Sequence, residues 1–309
     1  MEGFGKTNLA GGGRFEEEAQ VPREISFGTD RVQLWDLDRR QIVGTFPTTA
    51  VSNVRFQPGG RVLFTLGPSI HRWEMTTAGG ALRLGPAREV LPGPVNSLAL
   101  DAGGRWLAAV GPTGTLRVLD LKDPPGRVRS FQHDGAVHIT ASGDGRWVGT
   151  DSQAGFKVRD VRTGTAALEL TRAECLSGQF SPDGRWLVTL SYAEFWVWEL
   201  DAGDRWRLAR KFRRAEWGSP GGAAFSPDNR LLAAQTALAK VEVFEVGTWR
   251  SVVRLERTDG DPINWIHFAP GDRLMIATES SARRPILTIR EASSVGRSMP
   301  YEVTWTETG

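Results

Sequence analysis

Apolar and polar positions alternate in short bursts along this chain, and the bursts return at a regular interval. Six segments carry one pattern: an apolar strand end, a turn of Pro, Asp, Gly or their equivalents, an arginine, and a second strand. They are Phe56–Arg61, Leu100–Arg105, Ala141–Arg146, Phe180–Arg185, Phe225–Arg230 and Phe268–Arg273. Their arginines lie 44, 41, 39, 45 and 43 residues apart. Turn residues of this kind set or permit hairpin dihedrals, so each segment predicts two antiparallel strands. The second strands are predicted at Val62–Leu66, Trp106–Val110, Trp147–Thr150, Trp186–Leu190, Leu231–Ala234 and Leu274–Thr278. A third strand follows, ending in Trp73-Glu74, Leu119-Asp120, Arg159-Asp160, Trp198-Glu199, Phe244-Glu245 and Arg290-Glu291. A fourth leads into the next repeat, as at Ser251–Leu255. Nothing reads as a long amphipathic helix. Four short strands at this period are the signature of a propeller blade.

The phrase Phe-Ser-Pro-Asp-Gly-Arg-Trp-Leu at 180–187 and the dipeptide Trp35-Asp36 make the chain resemble the WD-repeat family, and the phrase is typical of its bacterial members. The other third strands keep an acid at the second position of that dipeptide and often lose the Trp. The resemblance spans residues 23–309 and implies an all-β fold, a β-propeller of four-stranded antiparallel blades. The family's Gly-His dipeptide is missing throughout, and the chain has only four histidines. The buried Asp-His-Ser/Thr-Trp hydrogen-bond network of the family is therefore not expected. Packing has to substitute for it, with Trp106, Trp147 and Trp186, each preceded by an arginine, as contributors.

Six repeats leave both ends over. Arg23 precedes Trp35 by the same interval as Arg61 precedes Trp73, so the N-terminus reads as a blade without its first strand. In the C-terminal Tyr301–Gly309, Val303 and Trp305 match Val54 and Phe56. The expectation is a seven-bladed propeller over 21–309, its ring closed when the C-terminal strand joins the N-terminal blade. Such closure would cover open strand edges. Residues 1–20, with Gly11-Gly12-Gly13 and Glu16-Glu17-Glu18, read as a flexible tail or as a linker remnant of a longer protein.

Composition narrows function mainly by exclusion. The 38 basic and 36 acidic side chains leave a net charge of +2, which provides no broad field for nucleic acid or an anionic membrane. A nucleic-acid partner is disfavoured on that ground. No stretch approaches the length of a membrane helix and the first residues lack a signal-peptide pattern, so a cytoplasmic chain without membrane attachment is expected. The single cysteine, Cys175, excludes an intramolecular disulfide and a cysteine metal cluster. It aligns with Val51, Val95 and Ile263, so a buried apolar role is expected. His133 and His138 read as a turn residue and a strand residue, not as a metal pair. Gly3-Phe4-Gly5-Lys6-Thr7 lacks the start of a phosphate-binding loop, and no Gly-x-Ser-x-Gly elbow occurs. The acids sit in repeated turns and strand ends, which marks them as structural. No catalytic residue, cofactor or metal is expected.

The expected function is a non-catalytic platform for a protein or peptide, a scaffold or adaptor, including as the sensing or interaction part of a larger regulatory protein. A monomer is expected. The alternative is a propeller enzyme or a metal or small-ligand binder that uses the central channel. The resemblance implies a contact face built from loops before the first strand of each blade, such as Thr171–Glu174 and Arg213–Pro220. Loops between second and third strands, such as Ser152–Gly155 and Ser191–Ala193, complete it. Within such loops Arg172, Glu174, Tyr192, Arg213, Trp217 and Arg283 carry groups large or charged enough to anchor a partner. One further feature is local: 205–214 holds six cations, with apolar residues at 206, 208 and 212 alternating as in an edge strand. It reads as a solvated edge kept from pairing by its charges, or as a surface for an anionic partner.

Overall fold

The computed structural model describes residues 23–27, 31–36, 41–47, 51, 53–58, 60–78, 81–122, 128–214, 222–256, 265–269, 273–277, 284–291 and 301–308. The expected tail at 1–20 lies outside them. Every regular element among the described residues is a β-strand, and these strands form seven antiparallel sheets. The chain divides into two compact units, Met1–Pro94 and Val95–Gly309.

The first unit holds two sheets. The first sheet has three strands, Arg23–Phe27, Arg31–Asp36 and Gln41–Pro47. The second runs through Asn53–Phe56, Val62–Leu66 and Ile70–Ala78. Its long third strand takes two short partners, Ala81–Leu84 and Arg88–Leu91, where one fourth strand was expected. Leu34, Phe46, Val54, Leu63 and Met75 form one core, with Phe46 set edge-on to Trp73 at 5.0 Å.

The second unit holds five four-stranded sheets in chain order. The third sheet runs from Ser97 to Gln132, the fourth from His138 to Thr171 and the fifth from Ser177 to Arg213. The sixth runs from Ala223 to Glu256 and the seventh from Trp265 to Thr308. Second strands at Trp106–Val110 and Trp186–Leu190 have the expected bounds. Their side chains are almost all buried, and for Trp186–Leu190 the fourth sheet covers one face and the sixth the other.

The repeated turn has one hydrogen-bond plan. Ser142, Ser181 and Ser226 each donate their hydroxyl to the Asp two residues on, and each accepts the N–H of the residue that opens the second strand. In the third sheet Asp101 takes the serine's place and accepts the Trp106 N–H at 2.6 Å. The residue before each arginine needs positive φ. Glycine supplies it at 60, 104, 145 and 184, and Asn229, a tolerated substitute, has φ 62°. The repeated arginine then reaches the repeated acid at the end of the third strand: Arg105 to Asp120 at 2.7 Å, Arg146 to Asp160 at 3.0 Å, Arg185 to Glu199 at 2.7 Å. The same guanidinium groups lie 5.0, 4.6 and 5.2 Å from the centres of the Trp rings that follow them. Solvent screens the Arg105 and Arg185 pairs, whose guanidinium groups are exposed, and the Arg146–Asp160 pair is better covered. Their recurrence sets register more than it adds stability.

A β-bulge also recurs, immediately before the dipeptide that ends the third strand. It falls at Leu34/Trp35, Val158/Arg159, Val197/Trp198 and Val243/Phe244, always between third and fourth strands. Its presence at Trp35 aligns the middle strand of the first sheet with the third strands elsewhere. Among the described residues the first sheet thus holds counterparts of the second, third and fourth strands of a repeat.

The expected closure is corrected. Tyr301–Thr308 pairs antiparallel with Arg284–Glu291, from Glu291 opposite Tyr301 to Arg284 opposite Thr308, and is the fourth strand of the seventh sheet. It does not serve as the first strand of the first sheet. The alternation that matched Val303 and Trp305 to a first strand is common to every half-buried strand, so it could not tell the two positions apart. Pairing with the preceding strand closes a short loop and carries the lower entropic penalty.

The histidine network is corrected in part. Trp73 Nε1–H donates to Thr65 Oγ1 and Trp198 Nε1–H to Thr189 Oγ1, both at 3.0 Å. His133 is buried between Thr150 Oγ1 at 2.7 Å from Nδ1 and Ser152 Oγ at 3.0 Å from Nε2. Gln132, not glycine, precedes it, so a search for Gly-His passes it by.

Candidate functional site

Two consecutive sheets of the second unit, the fourth and fifth, build a cavity of about 430 Å³. It is lined by Val137, His138, Asp151, Ser152, Gln153, Arg172, Leu176, Ser177 and Tyr192. Val137 and Leu176 immediately precede first strands, and the others come from a first-strand start, a second-strand end or one of the loops singled out as contact loops. A propeller repeat brings such segments to one end of each sheet, because first and third strands run antiparallel to the second.

Arg172 follows the end of Ala166–Thr171. Its Nη1 donates to the Ser152 carbonyl at 3.1 Å, which ties the guanidinium to the loop of its own sheet. Tyr192 stands at the tip of the 191–193 loop and is 46% exposed. Asp151 sits near the end of its strand with its carboxylate largely covered. It accepts the His138 N–H at Oδ1 and holds His138 Nδ1 at 3.0 Å from Oδ2. The site thus combines a cation, a carboxylate–imidazole pair and an exposed phenol with two aliphatic side chains, exposed Val137 and buried Leu176.

The other expected residues fall differently. Glu174 Oε2 accepts both the N–H and the hydroxyl of Thr171 at 2.9 Å, so its carboxylate holds the turn and sits below the usual carboxylate range because of those bonds. Arg213 ends the exposed strand Trp206–Arg213 and does not line the cavity. Trp217 and Arg283 lie outside the described residues. His138 and Asp151 were missed because nothing in the repeat distinguishes them; only the register that places them opposite each other does. Arg214 was grouped with the solvated edge, and that is corrected: it is buried, donates to the Tyr192 carbonyl at 3.1 Å and reaches Gln235 Oε1 at 3.4 Å. It braces the loop that carries Tyr192. Cys175 is buried as expected; its thiol donates to the Ser177 carbonyl at 3.1 Å, and burial pushes its pKa up to about 12. A thiol in that state is not a nucleophile at neutral pH.

The two histidines are driven in opposite directions. The hydrogen bond to Asp151 raises the His138 pKa, while burial, with Lys157 and Arg159 nearby, lowers that of His133. An NMR titration is expected to place His138 above about 6.5 and His133 below it. The sign follows for stability. The His138–Asp151 contribution is fully present below the unfolded histidine pKa and is lost as pH rises through the raised folded value. His133 instead penalises the fold as pH drops below its unfolded value. Asp151→Asn should bring His138 down; an unchanged His138 titration in that variant would refute the pairing.

No family model matches the chain, and no curated protein matches it. Among solved structures it is similar to the Cps50 (Swd1) β-propeller domain of Myceliophteria thermophila, with 16% identity, a TM-score of 0.61, and coverage of 83% of this chain and 90% of that one. At that identity the likeness speaks for the fold alone, and the fold is that of a β-propeller. Among the described residues no helix is long and apolar enough to cross a membrane.

Proposed function

We propose that the chain is a non-catalytic platform for a protein or peptide, and that its contact face includes the cavity between the fourth and fifth sheets. The observation that carries the reading is the convergence of Arg172 and Tyr192, both chosen for their chemistry, with His138 and Asp151 around one opening. Exposed aromatic and arginine side chains beside aliphatic surface are the usual anchors of a partner. Seven sheets support the expected count of seven blades. In this reading the protein acts as a cytoplasmic monomer, alone or as the interaction part of a larger regulatory protein, and it binds its partner without cofactor or metal. A small-ligand reading would place the ligand in the same opening, beside Arg172, Asp151 and Tyr192.

The test is affinity capture from native lysate with the parent chain, a Tyr192→Ala/Arg172→Ala variant and a control changed at Arg162, followed by titration of the purified partner. Loss of the same partner in the rim variant alone, with affinity at least about tenfold weaker, is expected. Retention of the full partner set by the rim variant would sink the reading. Equilibrium dialysis against a metabolite extract separates the small-ligand alternative.

A further inference from the structure

The strand Trp206–Arg213 is the outer edge of the fifth sheet, and its side chains from Arg207 to Lys211 are exposed without a break. Its positive charge is not uniformly engaged. Arg205 and Arg207 both turn back onto Asp201. Arg210, Lys211 and Arg213 are exposed, with Arg210 5.8 Å from the Phe212 ring centre and Lys211 Nζ 3.6 Å from that of Trp196. Lys211 also lies close enough to Glu174 to act on its carboxyl.

The backbone direction adds a second observation. Arg214 N–H donates to the Ala193 carbonyl at 2.8 Å, inside the sheet. In an antiparallel ladder directly opposed residues alternate between bonded and non-bonded pairs. Lys211, opposite Trp196, and Arg213, opposite Glu194, are therefore the pairs whose N–H and C=O groups point away from the sheet. Two of these exposed cationic residues, Lys211 and Arg213, are thus also the ones whose backbone donors and acceptors face outward.

We propose that this edge takes an acidic extended segment of a partner protein as an added strand. Backbone bonds to Lys211 and Arg213 would supply the pairing, and carboxylates at alternate positions, all on one face of the added strand, would lie beside Lys211 and Arg213. The same cations deter a neutral or basic strand, which reconciles the protective reading of a charged edge with a selective one. An oligonucleotide fits less well, because its phosphates offer acceptors without the donors that the outward carbonyls need. The proposal stands apart from the rim cavity and does not depend on it.

The experiment uses the full chain and fluorescence anisotropy with three probes: a labelled peptide alternating Glu and Val over the length of the strand, a Glu/Pro peptide of equal length and charge, and a single-stranded DNA oligonucleotide of equal charge. The Glu/Val peptide should bind, at least about tenfold more tightly than the Glu/Pro peptide, and more weakly as salt rises. The variant Arg210→Glu/Lys211→Glu/Arg213→Glu should lose at least about tenfold in affinity. Lys211→Glu alone serves if the triple variant melts below the parent, and the probe comparison on the parent chain needs no variant. Arg214 is left unchanged because it is buried. Absence of binding, equal affinity for both peptides, or tighter binding of the oligonucleotide overturns the proposal.

Discussion

Gly143→Ala is expected to destabilise the protein by about 3 kcal/mol, the upper range for inserting a methyl group into a closed space. A Cβ at Gly143 would fall 1.7 Å from the Pro182 carbonyl oxygen and 2.7 Å from its carbon. Both are backbone atoms of the next repeat's turn, so no side chain can swing aside. On its other flank, the Gly143 carbonyl accepts the Ala102 N–H at 3.0 Å. Gly143 is thus held between the preceding and following turns, and relief of the clash must part the fourth sheet from one of them. The repeat makes the result pointed. Pro58, Pro182, Pro227 and Pro270 occupy the equivalent position, and Ala102 occupies it in the third sheet. Repeat averaging would therefore recommend Gly143→Pro as harmless, whereas the geometry makes it at least as damaging as alanine. Urea unfolding of both variants beside the parent measures this; midpoints within error of the parent would refute the close approach.

Trp147→Ala should cost about 3–5 kcal/mol, the usual loss for a truncated buried Trp. For a unit of this size that corresponds to a melting point lower by roughly 10 °C. Trp147 is 2% exposed and packs with Phe156, Phe180, Leu187 and Trp198 where the fourth and fifth sheets meet. Its ring meets Trp206 nearly edge-on at 5.9 Å, and Arg146 lies over it. Its removal also takes away part of the surface against which the fifth sheet is held. Trp147→Phe should be milder, since the buried Nε1–H has no hydrogen-bond partner among the described residues and its deletion leaves nothing unpaired. Calorimetry separates the two; a Trp147→Ala chain that melts within about 2 °C of the parent would contradict the burial.

Much of the local architecture was legible in the chain alone. The Pro-Asp-Gly-Arg turns, the second strands that follow them and the acid closing each third strand are fixed by short-range chemistry. A serine or aspartate caps the turn, positive φ needs glycine or asparagine, and the arginine reaches an acid across two adjacent strands. The rim loops were legible for the same reason, since antiparallel connectivity dictates at which end of a sheet each loop lies. Arg172 and Tyr192 accordingly both line the cavity.

What remained was decided by contacts between residues far apart in sequence. Tyr301–Thr308 carries an alternation compatible with two positions, and only the pairing with Arg284–Glu291 settled which it takes. Arg214 continues a run of exposed cations by pattern, yet the 191–193 loop and Gln235 enclose it. Asp151 and His138 became a pair through register, and Gly143 became indispensable through a carbonyl from the following repeat. The sequence by itself determined the strands, the turns and the repeat, because each is satisfied within a hairpin. The tertiary structure alone decided which edges meet, which charges are covered and which side chains share an opening, because those depend on surfaces that exist only after the sheets have packed.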